Sequence, residues 1–327
     1  MNKMNFELQL FADPLTKSTT VTSSETLNGG GKLTPEQADK FLMALQDETP
    51  FLQKIQYYKM NAPQRYIELL GIGKRLIRKA TEDTAPTNQA KPAHSRRELK
   101  TVEIILPIDI SYSYLEDNIE GDKAEDVLIG AFTKQFGNDT IDLGFNGDEA
   151  STDETYADFF KINDGWLKIA RGETNVKTVD PTIYDNSAKG KMPSDLMKAM
   201  LAQMPEKYKT DKIVFVCSPN FKDEYVDEIS KRSTALGDKA LTEGGEVKYK
   251  GRTLMSVPCL GDGDVMLTDP LNLAYGVQRE ISIEWERVPR KRRIEYTITA
   301  RTDYEFADIE AMVVTKVAEV TPSGDGK

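Results

Sequence analysis

Histidine and cysteine are almost missing: the 327 residues hold one His, His94, and two Cys, Cys217 and Cys259. A single imidazole excludes a His-x-x-x-His zinc site and any His-rich metal cluster. Two cysteines outside any CxxC pair exclude a zinc ribbon and a disulfide framework. They read as small core residues of a reducing compartment. Long apolar runs are missing too, so no segment reaches the ~18–20 residues of a membrane helix. Near the start, Glu7 and Gln9 interrupt the apolar stretch Phe6–Ala12. That makes a poor secretory signal, and a cytoplasm-like setting is expected. A surplus of basic charge is also lacking: 43 Lys and Arg stand against 53 Asp and Glu, net −10. A general nucleic-acid binder needs the opposite balance.

Enough is present to fold. An apolar fraction of 39% with 12 Phe, 13 Tyr and 2 Trp supplies a core. The length suits two domains or one elaborated domain. Catalytic signatures are thin. Gly71-Ile72-Gly73-Lys74 lacks the spacing of a phosphate loop, and Gly261-Asp262-Gly263-Asp264 reads as a tight turn, not a calcium loop. Neither a metal site nor a cofactor is expected. Because pairing of carboxylates across the chain is invisible in sequence, an enzyme stays open at this point.

Along the chain, residues 13–33 are Thr-, Ser- and Gly-rich and read as an arm. A helix is expected from Thr34, with Pro35 at its first position and Gln37 completing a capping box. Residues 54–70 read as extended, broken at Asn61-Ala62-Pro63. Residues 71–100 are polar and cannot build a core of their own. Val102–Tyr112 alternates as a strand, so the two extended runs are expected to flank a long two-stranded flap. Asp122 and Glu125 fit the capping box of the next helix, with an apolar stripe from Val127 to Phe136. From 192 the pattern turns α/β: a Met-rich helix, a buried strand 212–217, a helix capped by Ser218, a Gly-rich loop 233–248, and strands at 249–257 and 264–267. Ile281–Glu286 and Ile294–Arg301 alternate as a long hairpin with Pro289-Arg290-Lys291-Arg292-Arg293 at its tip. A last strand spans 311–317.

Charge is strongly segregated. Residues 59–100 carry ten Lys or Arg and four acids; residues 116–158 carry thirteen acids and two Lys. Both segments read either as solvated surfaces or as a basic flap of one copy lying on the acidic segment of another. Complementary fields of that kind select register and partner. The basic candidates are Arg65, Lys74, Arg75, Arg78, Lys79, Arg96 and Arg97. The acidic ones are Glu116, Asp117, Glu120, Asp122 and Glu125. Arg290, Lys291, Arg292 and Arg293 at the hairpin tip face either solvent or a protein partner.

The order of parts resembles the major capsid protein of tailed bacteriophages, with the Hong Kong 97-like fold. The resemblance is carried by Asn5-Phe6-Glu7-Leu8-Gln9-Leu10-Phe11-Ala12, Phe145-Asn146-Gly147-Asp148, Asn163-Asp164-Gly165-Trp166-Leu167, Leu271-Asn272-Leu273-Ala274-Tyr275-Gly276 and Arg301-Thr302-Asp303-Tyr304. It implies an α+β chain with an N-arm at 1–53, an extended loop at 54–112, and a peripheral domain at 113–164 and 274–305. An axial domain would take 165–273 and the strand after 306, ending in a tail to 327. It implies a self-assembling, non-catalytic icosahedral shell of hexamers and pentamers, located in the virion and built in the host cytoplasm. The implied partners are further copies, a separate scaffolding protein, a portal, a decoration protein in some members, and packaged double-stranded DNA held without specificity; no membrane is involved. The hairpin tip would make contacts between capsomers. A Lys-to-Asn crosslink, known in some relatives, is not expected, since 279–301 contains no Asn. Two other readings stay open: an encapsulin-like nanocompartment shell, and a cytoplasmic α/β enzyme with a basic lid loop.

Overall fold

The computed structural model describes residues 51–71, 93–117, 124–184, 192–231, 246–278 and 282–316. The expected helix from Thr34 and the loop core at 233–245 lie outside them, as do Lys74, Arg75, Arg78, Lys79, Glu120 and Asp122. In chain order the strands are β1 (Gln56–Met60), β2 (Gln64–Gly71), β3 (Ala93–Lys100) and β4 (Val102–Ser111). Helices α1 (Tyr112–Asp117), α2 (Ala124–Asn146), α3 (Ala157–Phe160) and α4 (Trp166–Gly172) follow, then β5 (Lys177–Val179) and α5 (Pro193–Gln203). Next come β6 (Val214–Cys217), α6 (Pro219–Ser230), β7 (Lys248–Tyr249), β8 (Arg252–Ser256) and β9 (Met266–Thr268). The chain closes with β10 (Leu273–Gln278), β11 (Ser282–Val288), β12 (Arg293–Phe306) and β13 (Met312–Thr315).

The chain divides into two compact units, one of residues 1–63, 101–168 and 275–303, the other of 64–100, 169–274 and 304–327. The first is built on the hairpin that the sequence announces. β12 pairs antiparallel with β11, Trp285 opposite Tyr296 and Ile283 opposite Ile298. Its other edge takes β4, Ile110 opposite Ile294 and Ile108 opposite Tyr296. β1 and β10 complete a five-stranded sheet. Ile108, Ile110, Ile294, Tyr296 and Ile298 are all buried, which is the period of two that a one-faced sheet requires.

This pairing corrects the expected flap. β2 does not share a ribbon with Val102–Tyr112; its partner is β3, register Ile67 to Arg97 and Arg65 to Leu99. β4 carries apolar residues enough to match the hairpin across ten paired positions. Polar β3 offers one large apolar side chain, Leu99, and that one is fully buried. The stretch before β4 is thus not wholly without a core.

Helix α2 runs 23 residues and ends where the chain folds back on itself. Gly147 donates to Leu143 O at 2.9 Å and Gly165 to Gly147 O at 2.8 Å. A Cβ on Gly147 would stand 2.4 Å from Asn163 O and 2.6 Å from Leu143 O. Only glycine permits that approach. The turn seats Phe145 and Trp166 with ring centroids 5.1 Å apart, and Phe51 packs 5.3 Å from Phe145.

The second unit holds a six-stranded mixed sheet in the order β5-β13-β9-β6-β8-β7. Helices α5 and α6 cover it through Leu196, Met197, Met200, Phe221 and Tyr225, all buried, so the Met stripe is core packing. Ser218 caps α6, accepting from Phe221 N at 3.1 Å, with Pro219 following. Cys217 ends β6 inside this core, where burial pushes its thiol up to about 12 against a small opposing pull from Lys222. The Gly261–Asp264 segment is a turn between β8 and β9 whose Asp262 accepts from Ser218 Oγ at 3.0 Å.

Gly147→Ala is expected to destabilise the chain by about 1–3 kcal/mol, the usual cost of overpacking against rigid backbone. A lower urea midpoint at unchanged m-value is the readout.

Candidate functional site

Three charged surfaces stood out in sequence, and the structure places them differently. The β2–β3 ribbon has an inner face of Ile67, Leu99 and Arg97 and an exposed outer face of Tyr66, Glu68 and Arg96. On the outer face Arg96 gives Nη2 to Glu68 Oε1 at 2.9 Å and lies 5.4 Å from the Tyr66 ring centre. On the inner face Arg97 reaches Glu173 at 2.5 Å and Glu305 at 2.8 Å. Its Nε is buried with no hydrogen-bond partner. Burial opposes the guanidinium charge, but the two carboxylates outweigh burial and hold its pKa above the ordinary arginine value. At Glu305 the balance is reversed. Burial dominates, a donated bond from Phe306 N and the Arg97 charge counter it incompletely, and the carboxyl is pushed up. Arg97 is therefore a clamp holding the ribbon root to its own chain, while Arg65 is exposed.

The acidic candidates separate as well. Glu116 and Asp117 close α1 and Glu125 opens α2. Two carboxylates that sequence reading did not select are distinctive: Asp139 and Asp142, both half-buried on α2. Gln135 donates to Asp139 and Asn146 to Asp142, each at 2.7 Å. Burial raises both pKa values, and Asp142 repels charge on Asp139. The i, i+4, i+7 and i+11 spacing of Gln135, Asp139, Asp142 and Asn146 is the signal that could have found this polar stripe.

At the hairpin tip, Pro289–Lys291 forms a single 3-10 turn and Arg292 adopts φ 49°, a left-handed conformation. Backbone bonds tie the turn on both sides, Arg292 N to Pro289 O at 3.2 Å and Tyr112 N to Arg292 O at 2.9 Å. Arg293 bridges Asp109 at 2.7 Å and Glu295 at 2.6 Å, and Lys291 lies 3.1 Å from Glu295. Lys291 and Arg293 together hold the Glu295 carboxyl below the usual range. Arg290 and Arg292 are exposed and pair with no carboxylate among the described residues. Among the described residues no group of three or more His, Cys, Asp and Glu could hold a metal, and no helix is long and apolar enough to cross a membrane.

Two outcomes follow from this geometry. Arg97→Met strands the Glu305 carboxylate and is expected to cost about 2 kcal/mol in chemical denaturation. Asp142→Asn removes a carboxylate whose folded pKa lies above its unfolded value. Such a group costs stability once the pH exceeds the folded pKa, and the cost vanishes below the unfolded one. The substitution should therefore raise Tm at pH 7 by about 1–2 °C. The gain should disappear as thermal melts are taken below about pH 4, where both states are protonated.

The comparisons with known proteins agree with one another. The profile of the Phage major capsid protein, P2 family, matches residues 8–317. YqbE of Bacillus subtilis (strain 168), inferred to be a prophage capsid protein, is 30% identical over 310 residues, which is 90% of this chain and 95% of that protein. Among solved structures, a chain of the satellite phage P4 procapsid that includes the size determination (Sid) protein superposes with TM-score 0.65 at 18% identity, covering 92% of this chain and 93% of its own. The capsid of a native GTA particle gives TM-score 0.58 at 14% identity, covering 94% and 98%. The α+β architecture is the Hong Kong 97-like capsid fold, and the role is structural. The chain belongs to the P2 family of phage major capsid proteins and is a capsid shell protein.

Proposed function

We propose that this chain assembles as hexamers and pentamers into the icosahedral head of a tailed double-stranded DNA phage, in the host cytoplasm, without catalysing any reaction. The family match over residues 8–317 carries the reading. The two compact units support an assignment in which 113–164 and 274–305 form the peripheral domain. The axial domain then takes 165–273 and the strand from 306, with 1–53 as arm and 54–112 as extended loop. A closed shell needs repeated heterologous contacts, and reaching segments supply them.

The basic loop residues Arg65, Lys74, Arg75, Arg78 and Lys79 dock on Glu116, Asp117, Glu120, Asp122 and Glu125 of an adjacent copy. Arg96 and Arg97 belong to the same basic contact surface; Arg96 keeps its exposed pair with Glu68, and Arg97 also ties the ribbon to Glu173 and Glu305 of its own chain. The tip Arg290–Arg293 reaches between capsomers. A separate scaffolding protein and a portal are the other partners. Net charge −10 keeps packaged DNA from adhering tightly to the wall.

Double reversal of Arg75→Glu and Arg78→Glu tests the docking. Particle yield by electron microscopy is expected to fall about tenfold or more, as for like charges brought face to face, while circular dichroism of the subunit is unchanged. Normal particles from that variant would refute it. Nucleic acid inside purified particles separates the phage head from a nanocompartment shell.

A further inference from the structure

Helix α3 has no buried residue, although it is half aromatic. Tyr156 at its cap is 64% exposed, and Phe159 and Phe160 stack edge to face 5.2 Å apart while each stays only half-buried. Three adjacent aromatics left so open on a short turn form a knob, and apolar clusters of this kind mark contact sites. The surroundings specify the sign of the partner. Residues 147–160 hold five acids and no Lys or Arg. Asp148 is matched by Lys168 at 3.0 Å, and Asp153 is used to cap Thr155 N and Tyr156 N at 2.8 and 2.7 Å. Glu154 and Asp158, on either side of Tyr156, are exposed and meet no cation among the described residues. The knob is thus aromatic at its centre and negative at its rim.

The complementary object is on the same chain. On the ribbon Arg96 is held by Glu68 and Arg97 by Glu173 and Glu305, and at the hairpin tip Arg293 is held by Asp109 and Glu295. Arg290 and Arg292 remain exposed on a turn whose backbone is bonded from both sides. Guanidinium groups stack on aromatic faces and pair with carboxylates at once, and a fixed turn lowers the cost of ordering them.

We infer that the Tyr156–Phe160 knob of one subunit receives the hairpin tip of another copy of this chain, with Arg290 and Arg292 stacking on Tyr156 and Phe159 and pairing with Glu154 and Asp158. The contact is heterologous, so it repeats around a shell without self-pairing. It rests on the shell reading above and names the surface that the tip meets.

The test uses the full chain under conditions in which the wild type forms particles. Three proteins are compared by electron microscopy and sedimentation: Glu154→Arg with Asp158→Arg, Arg290→Glu with Arg292→Glu, and all four together. Each reversal alone is expected to lower closed-particle yield about tenfold, and the fourfold swap to restore it to within about twofold. Tyr156→Ser, which alters no charge, should lower the melting midpoint of particles and leave that of free subunits unchanged. Two results overturn the contact alone: wild-type-like particles from both reversals, or a swap no better than its parents, which would assign the knob to a different protein. A wild-type chain that never forms particles overturns the shell reading and this contact with it.

Discussion

A guanidinium held between two carboxylates ties the β2–β3 ribbon to the rest of its unit. Arg97 sits on the inner face of a two-stranded ribbon, and such a ribbon is at best marginally stable by itself. Ile67 and Leu99 supply a small apolar footing, and the ion triad with Glu173 and Glu305 supplies direction. The two carboxylates come from distant parts of the chain, one just after α4 and one near the end of β12. Breaking the triad leaves a buried charge without a partner, so the ribbon root is the least negotiable part of a segment whose continuation is strongly basic. On the docking proposed above, a segment that engages a neighbour gains from such an anchor, because each residue left free must be ordered at an entropic cost when it binds.

The same logic runs through the first unit. The hairpin that carries the basic tip is stiffened by β4 along β12 and by Arg293 across Asp109 and Glu295. Arg293 is satisfied within the subunit, while Arg290 and Arg292 at the turn pair with no carboxylate among the described residues. A shell protein gains from this division: internal pairs fix shape, and unpaired charges select neighbours more than they add affinity.

Much of the fold was legible in the sequence because it rests on local rules. The hairpin followed from strict alternation, α6 from Ser218-Pro219, and β6 from the continuous apolar run at 212–217. The ribbon was misread because its second strand, Ala93–Lys100, has the composition of a loop, and strand pairing depends on partners far away in sequence. β5 and β10 were not anticipated either; three residues, Lys177–Val179, are too few for any period to register. At the surfaces, sequence found charge but not its assignment. Nothing in Arg96-Arg97 says that adjacent residues on a strand point to opposite faces with opposite duties until the register to Glu68 and Ile67 is known. The half-buried Asp139 and Asp142 escaped for a related reason, since burial of one helix face is a property of what packs there.

Cys217 closes β6 with its thiol held protonated far above neutrality. Thiolates, not thiols, attack disulfides. On the function proposed above, the shell is made where glutathione is reducing and ends its life outside the cell, in oxidising surroundings. A buried sulfur so reluctant to ionise is a poor nucleophile, so Cys217 would make that passage with its chemistry unchanged.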